Sequence, residues 1–200
     1  MSDGDARTGH DEHVRIFRLA RGEFARRLDA VAATHHALPT PCPDWDVRTV
    51  IDHVLAGDVF AVRVLGGATL EAAIDGLLGA DLVGPDVHGD FRRGADAVDA
   101  AFAAADPDAI VDHVAGRIPV RDFIEFRTAD YSGHAWDLAV ATGQDRTLHP
   151  DLVASMVERT AARRESTGSL DQYDDADAPP TEDLQTRLLA LMGRDADLAL

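Results

Sequence analysis

Lysine is absent from this 200-residue chain: all 19 basic residues are arginine, set against 29 aspartates and seven glutamates, for a formal net charge of −17. So anionic a surface repels nucleic acid and anionic lipid, which excludes partners recruited by positive charge. The bias fits a GC-rich genome or a salt-adapted cytoplasm, and it speaks to solubility rather than to a site. Cysteine is nearly absent as well. With Cys42 alone, an intramolecular disulfide is excluded and a cysteine-based zinc site is disfavoured, in keeping with a reducing cytoplasm. Long apolar runs are missing, so no membrane span is expected, and the polar, acidic start MSDGDARTGHDEH carries no secretory signal.

What is present suffices for one domain over 1–200. Hydrophobic residues make up 46% of the chain, enough to bury a core without staples. After a disordered start at 1–9, Val14, Phe17, Phe24, Leu28 and Val31 recur at helical spacing and predict a first helix from His10 to Ala33. His10 and His13 stand one turn apart at its start, where two solvated histidines are the ordinary expectation; the same holds for His35 and His36 at its end. LPTPCPDWD (Leu38 to Asp46) is an extended connector, because three prolines forbid helix; Asp44 or Asp46 caps the next helix. Trp45 reads as an apolar plug. Cys42, with no basic neighbour in sequence, reads as structural.

The second helix runs from about Trp45 to Leu65. His53 lies on one stripe with Gly57, Phe60 and Val64, and Gly57 leaves space beside the imidazole. Beyond it come a short helix within 69–78, a loop at LVGPDVHGD with an exposed His88, and a third bundle helix from Phe91 to Ala105. IVDHVAGRIPV (Ile110 to Val120) predicts a small β-hairpin turning near Gly116-Arg117, with His113 structural. Its DHVAG echoes DHVLAG at Asp52 to Gly57, too briefly to argue a repeat. A fourth bundle helix spans Arg121 to Thr142, stopped by Gly143. A fifth covers Leu152 to Arg164, an acidic linker 166–181, and a terminal helix from Leu184 docks its leucines on the bundle.

Chemistry concentrates in the fourth helix. Asp130 and His134 are i and i+4 on the face that carries Phe123, Leu138 and Ala141, so the pair points inward. An inward Asp beside an inward His is costly unless the two share a proton or a metal. We favour a metal, with His53 as a third ligand from the second helix; for His53 taken alone, a packed and hydrogen-bonded core histidine is the ordinary alternative. Asp137 either supports a ligand or pairs with an arginine on another helix.

Three stretches then coincide in order. TPCPDWDVRTVIDHVLAG (Thr40 to Gly57), DYSGHAWDLAVATGQD (Asp130 to Asp145) and LQTRLLALMGRD (Leu184 to Asp195) together resemble the actinobacterial metal-binding family related to the N-terminal domain of mycothiol-dependent maleylpyruvate isomerase, in the DinB-like superfamily. The resemblance implies an all-α, up-down-up-down four-helix bundle. It also implies a divalent metal held by a His from the second helix and a Glu-x3-His pair from the fourth, here His53, Asp130 and His134. Asp130 replaces the usual glutamate and reaches about 1.3 Å less. Two imidazoles and a carboxylate suit zinc, and accept nickel, iron or manganese. An open position lowers the pKa of a bound water or thiol, so the family implies a transferase or isomerase that uses mycothiol or another low-molecular-weight thiol on a small electrophile. The alternative is a non-catalytic metal-binding or interaction protein, with a homodimer allowed by the apolar bundle faces. Hydrolysis would need a base, for which Tyr131 and Asp137 are nominal candidates. The isomerase carries a further C-terminal domain, so maleylpyruvate isomerisation itself is not expected here.

Overall fold

Apolar residues spaced by three and four put seven helices on one core in the computed structural model, which describes residues 3–167 and 181–198. Helix α1 (Asp3–Leu28) is followed by a single 3-10 turn (Ala33–His35), α2 (Val47–Leu65), the short α3 (Leu70–Ile74) and α4 (Val87–Ala104). A two-stranded hairpin, β1 (Ile110–His113) and β2 (Gly116–Pro119), leads into α5 (Val120–Thr142), then α6 (Pro150–Thr167) and α7 (Leu184–Leu191). None of the described helices is long and apolar enough to cross a membrane.

Most boundaries follow local chemistry. Asp46, not Asp44, caps α2 by accepting from the Thr49 amide at 2.8 Å. Gly143 ends α5 in the left-handed region, at φ 69°. Leu188, Leu189 and Leu191 of α7 are buried, so the terminal helix docks as expected. Along the chain, three element boundaries differ from expectation. First, α1 is helical from Asp3, where a disordered start was expected, and it stops at Leu28. Its early turns lie against the rest of the bundle, so His10 is buried with Nε2 2.9 Å from the Phe102 carbonyl, and His13 Nε2 meets Glu125 Oε1 at 3.1 Å; neither is solvated. Second, the hairpin turns at Val114-Ala115, because Ile110 pairs with Pro119 and His113 with Gly116. Third, Asp86 starts α4 at Val87, inside the expected loop, and His88 is half-buried 3.5 Å from Asp29. Residues 168–180, most of the expected acidic linker, lie outside the described residues.

The four long helices form the bundle, but they do not alternate in direction. Arg18 pairs with Asp99 and Arg21 with Asp96, so α1 and α4 are antiparallel. Phe17 meets Tyr131, and His13 meets Glu125, so α5 runs parallel to α1. His53 faces Asp130 while Phe60 faces Phe123, so α2 opposes α5. The order is therefore up-down-down-up. The return is made by the segment 66–86: Arg63, near the end of α2, binds the carbonyls of Ala73 (3.1 Å) and Asp75 (2.8 Å), and Arg48, near its start, binds that of Val83 (2.9 Å). That crossover brings α4 back parallel to α2. It leaves α5 buried on nearly all sides through residues 131–140.

Candidate metal centre

Asp130 and His134 are one turn apart in the middle of α5, and α2 runs antiparallel beside them, which brings His53 across the interface. Asp130 Oδ1 lies 3.0 Å from His53 Nε2 and 3.3 Å from His134 Nε2. The donor atoms of all three residues fall within 4.8 Å of one another. Tetrahedral ligand bonds of about 2.0–2.1 Å place neighbouring donors about 3.3 Å apart, so this set fits a small divalent cation. The short carboxylate stands between the two imidazoles. The i, i+4 spacing puts Asp130 and His134 on one face, and the antiparallel α2 brings His53 to them.

The partners around them were less legible. His134 Nδ1 is 2.9 Å from Asp137 Oδ2, and Arg194, just beyond α7, clamps that carboxylate at 3.0 Å (Nε to Oδ1) and 2.7 Å (Nη2 to Oδ2). Asp137 thus fills both roles open to it, histidine support and arginine pairing. Cys42 is not isolated, as its sequence neighbours suggested. Its thiol donates to Asp137 Oδ2 at 3.3 Å and sits 4.0 Å from His134 Nδ1 and 3.6 Å from Arg194 Nη2, so Cys42, His134 and Asp137 form a second potential donor group behind the first. Trp45 is more than a plug. Asp44 takes a left-handed φ of 65°, which aspartate tolerates, and the Thr40 amide closes the loop on the Trp45 carbonyl at 3.2 Å. The indole then lies over both imidazoles, with centroids 4.9 Å from His53 and 5.7 Å from His134.

Gly57 needs a different account. The space beside it holds the Arg127 guanidinium, which a Cβ at residue 57 would overlap. Arg127 Nη1 donates to Asp130 Oδ2, and Nη2 donates to Asp58 Oδ1 at 2.7 Å. Tyr131 donates to the same Asp58 oxygen at 2.7 Å; wholly buried, it offers no base. Burial and Asp58 hold its hydroxyl well above the usual phenol range. Trp136 is buried in the core.

The electrostatics arise from these contacts. Burial pushes the Asp130 carboxyl up, but the charges of His53 and Arg127 and hydrogen bonds from both imidazoles hold it well below the usual carboxylate range. Burial pulls His134 down, and its bonds to Asp130, Asp137 and Cys42 outweigh this, holding its imidazolium well above the usual histidine range. Asp137 is likewise raised by burial and lowered further by His134 and Arg194. Deprotonating His134 exposes the same Nε2 as a ligand.

The protein is a helical bundle in which α2 and α5 bring two histidines and a carboxylate together. The chain belongs to the mycothiol maleylpyruvate isomerase N-terminal domain family, whose model matches residues 17–139. Two uncharacterized proteins from two strains of Mycobacterium tuberculosis are each 34% identical over 151 residues, covering 74% of this chain and 76% of the relative. The crystal structure of the mycothiol-dependent maleylpyruvate isomerase superposes with a TM-score of 0.62 at 16% identity, over 80% of this chain and 73% of that one. A histidine-to-alanine mutant of that isomerase superposes at 0.63 over the same shares. At that identity the likeness is one of fold.

Proposed function

We propose that this protein binds a divalent metal, zinc in the first instance, through His53, Asp130 and His134, and uses it with a low-molecular-weight thiol such as mycothiol to transfer or isomerise a small electrophile. The observation that carries the reading is the convergence of three donors on one point from two helices, in a member of a family named for a thiol-dependent isomerase. A divalent ion there supplies a Lewis acid that lowers the pKa of a thiol or water in an open position. The chain's own residues do the rest. Asp137 holds Nδ1 of His134, which points Nε2 at the centre. Arg194 keeps Asp137 ionised. Trp45 packs against both imidazoles. His53, with 41% of its side chain exposed, keeps one donor within reach of solvent. That exposure favours a reacting site over a closed, purely structural one.

Metal analysis of the purified protein beside His53→Ala, Asp130→Ala and His134→Ala tests the reading. The wild type is expected to hold about one equivalent after dialysis and each variant far less. Equal content in all four, or none in any, defeats it. A thiol-plus-electrophile activity screen on the loaded protein then tests the reaction class.

A further inference from the structure

Arg127 lies beneath the centre, 5% exposed, between carboxylates on two helices. Besides Asp130 Oδ2 and Asp58 Oδ1, it reaches the Val54 carbonyl at 3.3 Å, and its Cζ stands 4.8 Å from the centroid of the Tyr131 ring. Every one of these contacts fixes the guanidinium plane. A carboxylate on a short side chain turns about its last bond and can offer either oxygen or both to a cation. Here one oxygen is taken. Arg127 holds Oδ2, so the oxygen facing His53 and His134 is Oδ1. Asp58, behind, shares the arginine's charge, so that Asp130 is oriented by the cation without being fully neutralised by it.

We propose that Arg127 is a positioning residue that makes Asp130 a one-oxygen ligand, and that Gly57 is glycine in order to seat it. The inference rests on the metal reading above. It explains how the shorter carboxylate serves in this site: the arginine sets its direction, and with one oxygen withheld the protein supplies three donors and leaves a position open. A cation this close to a metal is costly, and Asp58 offsets that cost.

The test uses the full chain in three forms: wild type, Gly57→Ala, and the charge-neutral double variant Asp58→Asn with Arg127→Met. Alanine is the better helix former, so Gly57→Ala disturbs the arginine without weakening α2 intrinsically, and it decides the matter alone if the double variant does not fold. Two quantities are read: zinc affinity by competition with a chelator, and the visible absorption spectrum of the cobalt(II)-loaded protein, which reports ligand number. Both variants are expected to bind zinc at least about tenfold more weakly and to show a weaker cobalt spectrum of higher coordination number. A wild type that binds zinc, with variants that match it within about twofold and keep its cobalt spectrum, overturns the assignment. A wild type that binds no metal overturns the metal reading and this inference with it.

Discussion

His134 and His113 are buried to nearly the same degree, 6% and 7% exposed, and the protein treats them in opposite ways. His134 is ringed by Asp130, Asp137 and the Cys42 thiol, whose hydrogen bonds raise its pKa against the effect of burial. His113 stacks on Phe126 with centroids 4.9 Å apart, touches Phe123 at 5.0 Å and Phe60 at 5.9 Å, and accepts a hydrogen bond from the Ala115 amide at 3.1 Å. Burial, with the Arg127 charge nearby, lowers its pKa to about 4. The contrast extends to sequence. His113 sits in Asp112-His113-Val114 and His53 in Asp52-His53-Val54, yet one histidine ends a strand against phenyl rings and the other lies on a helix facing a carboxylate. A buried histidine is therefore not a functional signal in itself. The oxygens that face it decide.

The largest effect that would break this comparison is metal-linked stability. Zinc at about a thousand times its dissociation constant should stabilise the wild type by about 4 kcal/mol in urea melts. His113→Phe should show the same increment and His134→Ala none. A His134→Ala protein that zinc stabilises as well as wild type would place the ion elsewhere.

Next comes pH, measured on chelator-treated protein. His113 is neutral when folded and takes its proton first when unfolded, so its contribution is present above about pH 6.5 and is lost as pH falls toward about 4; the loss is roughly 3 kcal/mol. His113→Phe should flatten that acid slope. For His134 the sign reverses: its folded pKa is raised, so its contribution is full below about pH 6.5 and disappears as pH rises through the folded value. His134→Gln should remove the alkaline loss and leave the acid one. Parallel slopes in the two variants would show that the two sites do not differ as described.

The smallest effect sharpens the His134 side. Arg194→Met removes the clamp on Asp137 and should weaken zinc binding by about tenfold to a hundredfold, whereas the exposed Arg187→Met should change nothing. Equal affinities in chelator competition would reduce Arg194 to a surface cation.

Helix positions and the pairing of Asp130 with His134 were legible because both depend on local periodicity: the two share a face through 3.6-residue geometry alone, whereas His53 was joined to them by the family resemblance. Helix direction was not. Nothing within α2 or α4 records that residues 66–86 cross back along the bundle, and the expected alternation was taken from the resemblance. His10 and His13 were misplaced for a related reason, since their burial depends on Phe102 and Glu125, far away in the chain. Arg127 had a signal that went unused: at i−3 to Asp130 it lies on the ligand face, where a cation needs a reason to be. Arg194 had none, because only tertiary packing carries it to Asp137. Gly133 records the approach, as a Cβ there would stand 3.1 Å from the Arg194 guanidinium carbon.

That approach also ties distant parts of the chain to one carboxylate. Arg194 is 57 residues downstream of the carboxylate it clamps and 152 downstream of Cys42. One buried carboxylate thus joins the connector before α2, the middle of α5 and the segment after α7. Neither the connector nor the end of the chain can come away from the bundle without costing Asp137 a hydrogen bond.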